Sequence, residues 1–390
     1  MTRRVALLAS TILAVPLLVM ISACGGGDNP FGVKSELVTE ADHPPDMAFA
    51  PDGRLFYAEQ LTGNIRVVTA EGELLKEPFA HVDVALYLDL DWGLTGLAVD
   101  PDFEKNSYVY AFFTKPVEAD PPIGRPVVMR FTDRNNKGMD PKVIVDDLPE
   151  SLPAHPGYNA NGKIHFGPDG FLYVSLGDYD TPTLVQDLST PEGAILRVSK
   201  EDGSPPDDNP FVDNPPADPR IFAYGFREPF DFAFHPETGA IYGSDNTPVS
   251  CEELNLIETS SNYGWPDVGE FPFADCGAGD QVPAIHFFAK EGKKPGDFLS
   301  FLAISGLEFA SADVYPLLGD ALLVCDSETS LMRRLVLTGS NFDQVAPDKK
   351  GVDNVVVMDC KMDVTTSPDG TVYYSNETEI RRLVPQDTGK

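Results

Sequence analysis

One short pattern recurs six times along this chain and constrains its fold more than any other feature. It reads apolar-x-apolar, then Pro-Asp-Gly or a relative, then an apolar-aromatic stretch. Four copies are clear: Met47-Ala-Phe-Ala-Pro-Asp-Gly53, Leu97-Ala-Val-Asp-Pro-Asp102, Ile164-His-Phe-Gly-Pro-Asp-Gly170 and Val364-Thr-Thr-Ser-Pro-Asp-Gly370. Phe232-Ala-Phe-His-Pro-Glu-Thr-Gly239 is one residue longer, and Leu307-Glu-Phe-Ala-Ser311 is degenerate. Proline presets φ at the turn and glycine supplies the positive φ that closes it, so each copy predicts a β-hairpin. The copies lie 50 to 75 residues apart, which is room for four short strands and variable loops. Six such units over residues 37–386 predict an all-β, six-bladed β-propeller. The chain is then one folded domain, although 390 residues would by length alone suggest two or three. A β-sandwich with coincidental turns would not need six copies.

Charge narrows the partners. The sequence carries 61 Asp and Glu against 29 Lys and Arg, a formal net charge of -32. Such a surface repels phosphate backbones and anionic headgroups, which excludes nucleic-acid binding. The N-terminus is the exception to this acidity. Arg3 and Arg4 precede an apolar run from Val5 to Ile21, and then come Ser22, Ala23 and Cys24. Residues 1–23 read as a secretory signal; an uncleaved anchor is the alternative, since the run is long enough to span a bilayer. Ile-Ser-Ala-Cys followed by three glycines resembles a bacterial lipobox. That implies lipidation of Cys24, a flexible tether over 24–36, and an exported lipoprotein held to the membrane only by its acyl chains. The chain is expected to act as a monomer.

Export permits disulfides. Beyond Cys24 there are four cysteines, which allow three pairings. Cys251 with Cys276 closes a short loop and Cys325 with Cys360 joins neighbouring segments, so this pairing is expected. Structural zinc is the competing use, but neither CxxC nor HxxxH spacing is present.

Several longer blocks carry a family resemblance. Asp46-Met-Ala-Phe-Ala-Pro-Asp-Gly-Arg-Leu55, Gly93-Leu-Thr-Gly-Leu-Ala-Val-Asp-Pro-Asp-Phe103 and Phe166-Gly-Pro-Asp-Gly-Phe-Leu-Tyr-Val-Ser-Leu-Gly-Asp178 are three of them. Gln186-Asp-Leu-Ser189, Ala223-Tyr-Gly-Phe-Arg-Glu-Pro-Phe230, Glu253-Leu-Asn-Leu-Ile257 and Asn262-Tyr-Gly-Trp-Pro266 complete the set. In this order they resemble the glucose/sorbosone dehydrogenase family, six-bladed propellers whose enzymes oxidise aldoses or similar sugars with pyrroloquinoline quinone (PQQ) and calcium. The resemblance implies a small-molecule sugar as substrate, with PQQ and Ca²⁺ as cofactors.

That chemistry needs a base for the sugar hydroxyl proton, cations for the three PQQ carboxylates and a metal beside the quinone. The resemblance puts Asn159 where the family has its His, and an amide cannot take a proton at neutral pH. His155, four residues upstream, is an alternative base or a solvent-exposed loop residue; His165, on a strand, reads as a satisfied strand histidine. Arg227 matches a PQQ-contacting Arg, but Glu228 stands where an Asn usually follows. Arg333 or Arg334 and Lys361 are the further candidate cations, and Cys360 aligns with a family Arg. For calcium, the loop Asp245-Asn-Thr-Pro248 offers Thr247 and Pro248, and Glu252, Glu253 and Asn255 match an acidic element. Oxygen ligands suit Ca²⁺, although among 61 acids a carboxylate cluster is equally a solvated loop.

Three functions therefore stay open. The first is a PQQ- and Ca²⁺-dependent sugar dehydrogenase. The second is a catalytically degenerate propeller that binds a glycan, small ligand or protein on its central face. The third is a metal-dependent, lactonase-like hydrolase, for which no sequence block speaks.

Overall fold

The computed structural model describes residues 29–86, 92–118, 123–150, 159–160, 162–247, 251–266, 276–277, 281–291, 293–297, 300–347 and 354–386. Its strands form six four-stranded antiparallel sheets, one for each repeat, with a small two-stranded hairpin beside the fifth. The chain is a six-bladed β-propeller. The innermost strands are Met47–Phe49, Leu94–Val99, Ile164–Phe166, Phe232–Phe234, Ile304–Ala310 and Asp363–Thr366 in blades one to six. All six border one axial cavity.

The repeat explains this geometry residue by residue. In the Pro-Asp-Gly copies the glycine takes φ between 80° and 86° at Gly53, Gly170 and Gly370. Each of these glycines closes its turn with a hydrogen bond from its own N–H to the carbonyl three residues back, at 2.8 to 2.9 Å. Blade two lacks that glycine. A single helical turn, Phe103–Asn106, replaces it, and Ser107 takes the left-handed conformation instead.

Each blade buries both of its faces. Strand Leu55–Glu59 is buried at every position, as are Leu172–Leu176 and Ile241–Asp245. Alternate residues of a strand enter opposite wedges between blades. Tyr110 and Phe112 pack toward blade three, whereas Val109, Ala111 and Phe113 pack toward blade one. The apolar core is accordingly six interblade wedges, which explains the runs of apolar and aromatic residues in place of strict alternation.

The ring closes with a strand from the other end of the chain. Val33–Glu40 pairs antiparallel with Glu379–Pro385, from Val33 opposite Pro385 to Glu40 opposite Glu379. This corrects the expected boundary at residue 37: Val33 to Leu37 belong to blade six, and the Asn29 amide already donates to the Val356 carbonyl at 2.7 Å. Residues 1–28, including the candidate signal and Cys24, lie outside the described residues. Among the described residues no helix is long and apolar enough to cross a membrane.

Both expected disulfides form. Cys251 joins Cys276 and Cys325 joins Cys360, with Cα atoms 5.5 and 5.4 Å apart. The second links the strand Ala321–Asp326 of blade five to the segment entering blade six.

Candidate functional site

The repeat register sets up the axis. The residue just before the apolar-x-apolar triplet is Asp46, Gly96, Lys163, Asp231, Gly306 and Asp363 in the six copies. The four with side chains meet at the centre. The buried Lys163 ammonium is ion-paired with Asp363, 3.6 Å from Asp46 and 3.5 Å from Asp231. Asp46 also accepts the Leu97 N–H at 2.5 Å and Asp231 accepts the Leu307 N–H at 2.8 Å. Each carboxylate thus pins the neighbouring blade that carries the glycine. His165, the expected strand histidine, is satisfied by Asp231 at 2.8 Å.

One residue earlier in the register lies the floor of a second cavity, of about 710 Å³. Pro45, Thr95, Phe230, Ser305 and Met362 line it, and so do Asn159, Arg227 and Lys361. Three of the sequence-predicted site residues therefore share one pocket over the axis.

Asn159 is held firmly. It adopts φ 46°, a left-handed conformation that Asn tolerates better than most residues, and its amide donates to Asp178 at 2.8 Å. Gly177 lies so close to it that a Cβ there would come within 2.1 Å of the Asn159 carbonyl oxygen. The other oxygen of Asp178 accepts the Trp265 indole N–H at 2.8 Å.

Arg227 is fixed through its backbone and its side chain. Its carbonyl accepts the Asp178 N–H at 2.7 Å, and its own N–H donates to Asp245 at 3.1 Å. The guanidinium reaches the Asn246 carbonyl at 2.7 Å and Glu228 at 3.4 Å. Burial pushes the Asp245 carboxyl up to about 7, against the two backbone N–H groups that favour its anion. Lys361 is paired with Glu377 at 2.6 Å on the rim.

Other expected positions fall elsewhere. Arg333 does not line the pocket; its buried guanidinium is committed to Asp326 and to the Thr329 hydroxyl. Arg334 points to the other side of its strand, toward the Leu318 carbonyl and the Phe31 ring. His155 and Pro248 lie outside the described residues. Thr247, Glu252, Glu253 and Asn255 are all buried, and the Asn255 amide donates to Glu253 at 3.2 Å. Both Glu252 oxygens and Asn255 Oδ1 are buried without a close hydrogen-bond partner among the described residues, although the backbone N–H groups of Leu302 and of Glu252 itself favour the Glu252 anion. Burial holds the Glu252 carboxyl at about 7.

Orphaned buried oxygens of this kind suit a hard cation. Among the described residues no cluster of three or more His, Cys, Asp or Glu is spaced to hold a metal. A calcium ion here would draw on Glu252, Asn255 Oδ1 and backbone carbonyls instead. The pocket fits a quinone cofactor in size and brings Arg227 and Lys361 to it. Arg227 meets Glu228 only at 3.4 Å, and the Lys361–Glu377 pair lies on the rim, where screening by water leaves it weak. Thr95 Oγ1 and Ser305 Oγ, beneath the floor in blades two and five, are also buried without a hydrogen-bond partner among the described residues.

A propeller with a pocket over its axis, lined by both charged and apolar side chains, is the class of protein that fold and site define. The pattern of the Glucose / Sorbosone dehydrogenase family matches residues 41–384, and the chain belongs to that family. Aldose sugar dehydrogenase YliI of Escherichia coli (strain K12) is 26% identical over 380 residues, covering 95% of this chain and 96% of the relative. Quinoprotein glucose dehydrogenase B of Acinetobacter calcoaceticus is 30% identical over 260 residues, 61% of this chain and 53% of the relative. A solved oxidoreductase of Thermus thermophilus, described as a glucose dehydrogenase, shares 30% identity with a TM-score of 0.73 over 90% of this chain and 100% of that one.

Asp178 and Asp245 were not singled out as site residues in the sequence. Each sits inside a quoted block, one closing Val-Ser-Leu-Gly-Asp178 and the other opening the calcium loop. Their acidity at strand ends was the available signal.

Proposed function

We propose that the protein oxidises an aldose or a related sugar, with PQQ bound in the 710 Å³ pocket and calcium beside it. One observation carries this reading. Asn159, Arg227 and Lys361 line a single cavity directly over the axial ring. Arg227 and Lys361 would hold cofactor carboxylates, and Glu252 with Asn255 would hold the cation. When bound, the quinone supplies the acceptor for the hydride.

The test is dye reduction by purified protein supplied with PQQ, Ca²⁺ and a panel of aldoses. Sugar-dependent turnover is expected; the absence of any spectral shift of saturating PQQ sinks the reading. Asn159 favours a second reading, a propeller that binds a sugar or other ligand without oxidising it. PQQ binding or sugar binding without turnover would select that reading. Nothing in the site favours the hydrolase.

Export and anchoring through Cys24 belong to the same proposal. In the sequence Gly25-Gly26-Gly27-Asp28 separate Cys24 from Asn29, where the described residues begin. Loss of fatty-acid labelling in Cys24→Ser is the expected result; labelling that persists would refute it.

A further inference from the structure

Oxidising a sugar at its anomeric carbon requires an acceptor for the hydroxyl proton, placed in the pocket and able to work near neutral pH. Asn159 cannot do this. Arg227 and Lys361 are already protonated, Glu228 and Glu377 face those cations, and the Thr95 and Ser305 hydroxyls are far too weak as bases. Among the described residues, His43 is the one imidazole that lines the cavity.

Its setting is that of a positioned base. His43 lies in Ala41-Asp42-His43-Pro44-Pro45, the link between the closing strand of blade six and the inner strand of blade one. Its backbone is in the left-handed region at φ 43°. Its N–H donates to the Glu377 carbonyl at 2.8 Å, and its carbonyl accepts the Gln60 N–H at 3.1 Å. Two prolines follow, so the loop has little freedom. Nδ1 meets the Asp42 carboxylate at 2.8 Å. A carboxylate accepts only, so Nδ1 carries the proton and the lone pair is left on Nε2. The side chain is 39% exposed. The charged groups facing it are Asp42, Glu377 and Lys361.

We propose that His43, oriented by Asp42, is the proton acceptor of this protein's sugar oxidation, in the role that Asn159 cannot fill. This rests on the dehydrogenase reading above. In the step, the O–H bond of the anomeric hydroxyl breaks and its proton goes to His43 Nε2. The hydrogen on the same carbon leaves with its electron pair to the quinone, and the C–O single bond becomes a carbonyl. The sugar is oxidised by two electrons, the quinone is reduced by two, and the imidazolium returns its proton to solvent.

The test is His43→Gln with Asp42→Asn and His155→Gln beside it, all in protein loaded with PQQ and Ca²⁺. His43→Gln is expected to lower kcat by roughly 10²- to 10⁴-fold with little change in KM. Asp42→Asn should lower kcat less. A second readout needs no turnover: in apo protein, adding the aldose should move the His43 imidazole NMR resonances. Unchanged thermal unfolding of His43→Gln separates lost chemistry from lost folding, and added imidazole should restore part of the rate in His43→Ala. Wild type that never oxidises sugar sinks the dehydrogenase reading and this role with it. Wild type that does, alongside an active His43→Gln, overturns the role of His43 alone, and loss of activity in His155→Gln instead would name its replacement.

Discussion

The ring of axial side chains and the pocket one register position above it are built from the same repeat, yet they treat polar groups in opposite ways. In the ring, Lys163 is shared by Asp46, Asp231 and Asp363, and two of those carboxylates also bind a backbone N–H of the next blade. In the pocket, Arg227 meets Glu228 only at 3.4 Å, Lys361 pairs with Glu377 on the exposed rim, and the Thr95 and Ser305 hydroxyls beneath the floor have no hydrogen-bond partner among the described residues. Beside it, the Glu252 carboxylate is buried with only the backbone N–H groups of Leu302 and of Glu252 itself to favour its anion among the described residues. The ring ties six blades together around one lysine, although Asp363 Oδ2 is buried there without a hydrogen-bond partner among the described residues, whereas the pocket opens its cations to a cavity. The repeat encodes the first directly; the second comes from departures from the repeat, which is where function resides.

The sharpest way to break this contrast is to unbalance the ring. Burial alone would lower the Lys163 pKa, but the three surrounding carboxylates hold it raised, and burial together with its neighbours pushes Asp363 well up. Lys163→Met leaves three buried carboxyl groups facing one another. Removing one partner of a buried ion pair costs about 3–5 kcal/mol, so a loss of that size is expected in urea unfolding at neutral pH. A loss below about 1 kcal/mol would mean that water or protons balance the ring as well as lysine does.

Calcium tests the other side. With the ion at a hundredfold excess over its dissociation constant, wild type should gain about 2.7 kcal/mol, seen as a raised Tm. Glu252→Gln should abolish that gain, and a gain that survives would remove Glu252 from the ligand set. The metal-free variant also has a distinct pH signature. The folded Glu252 carboxyl titrates at about 7, above its unfolded value, so its stabilising contribution is full below the unfolded pKa and is lost as pH rises toward 7. Glu252→Gln should flatten that decline.

The sequence made the blades readable because each Pro-Asp-Gly turn requires the same local backbone wherever it falls. The axial ring follows from the same spacing, which puts Asp46, Lys163, Asp231 and Asp363 at equivalent places, but it was not among the expected features because the residue type at that place varies from copy to copy. The closing strand was not readable. Val33–Glu40 has no turn signature, and its assignment to blade six depends on meeting Glu379–Pro385 from the far end of the chain. Arg333 was misplaced for a related reason. A strand fixes which side an arginine faces, but its partner, Asp326, comes from the adjacent strand and leaves no mark at position 333. The two disulfides were readable because the short loops they close restrict the choices.

The smallest effect separates the two histidines near the axis. His165 lines the cavity on the far side of the ring from the pocket, with Nε2 2.8 Å from Asp231. Burial opposes its ionisation, but the hydrogen bond and charge of Asp231, helped by Asp46, outweigh burial and the repulsion of Lys163 and raise its pKa. A raised folded pKa means that the fold binds a proton more tightly than the unfolded chain does. The stabilisation is complete below the unfolded value of about 6.5 and is lost as pH rises through the folded one. Stability of the wild type should therefore decline above about pH 6.5, and His165→Gln should lack that part of the slope. Denaturation midpoints from about pH 6 to about pH 9 would show it; parallel profiles for the two proteins would mean that His165 stays neutral throughout. Sugar-dependent turnover should be untouched, because the ring stands between His165 and the pocket. A His165→Gln variant that changes the rate as His43→Gln does would show that the two sides of the ring are one site.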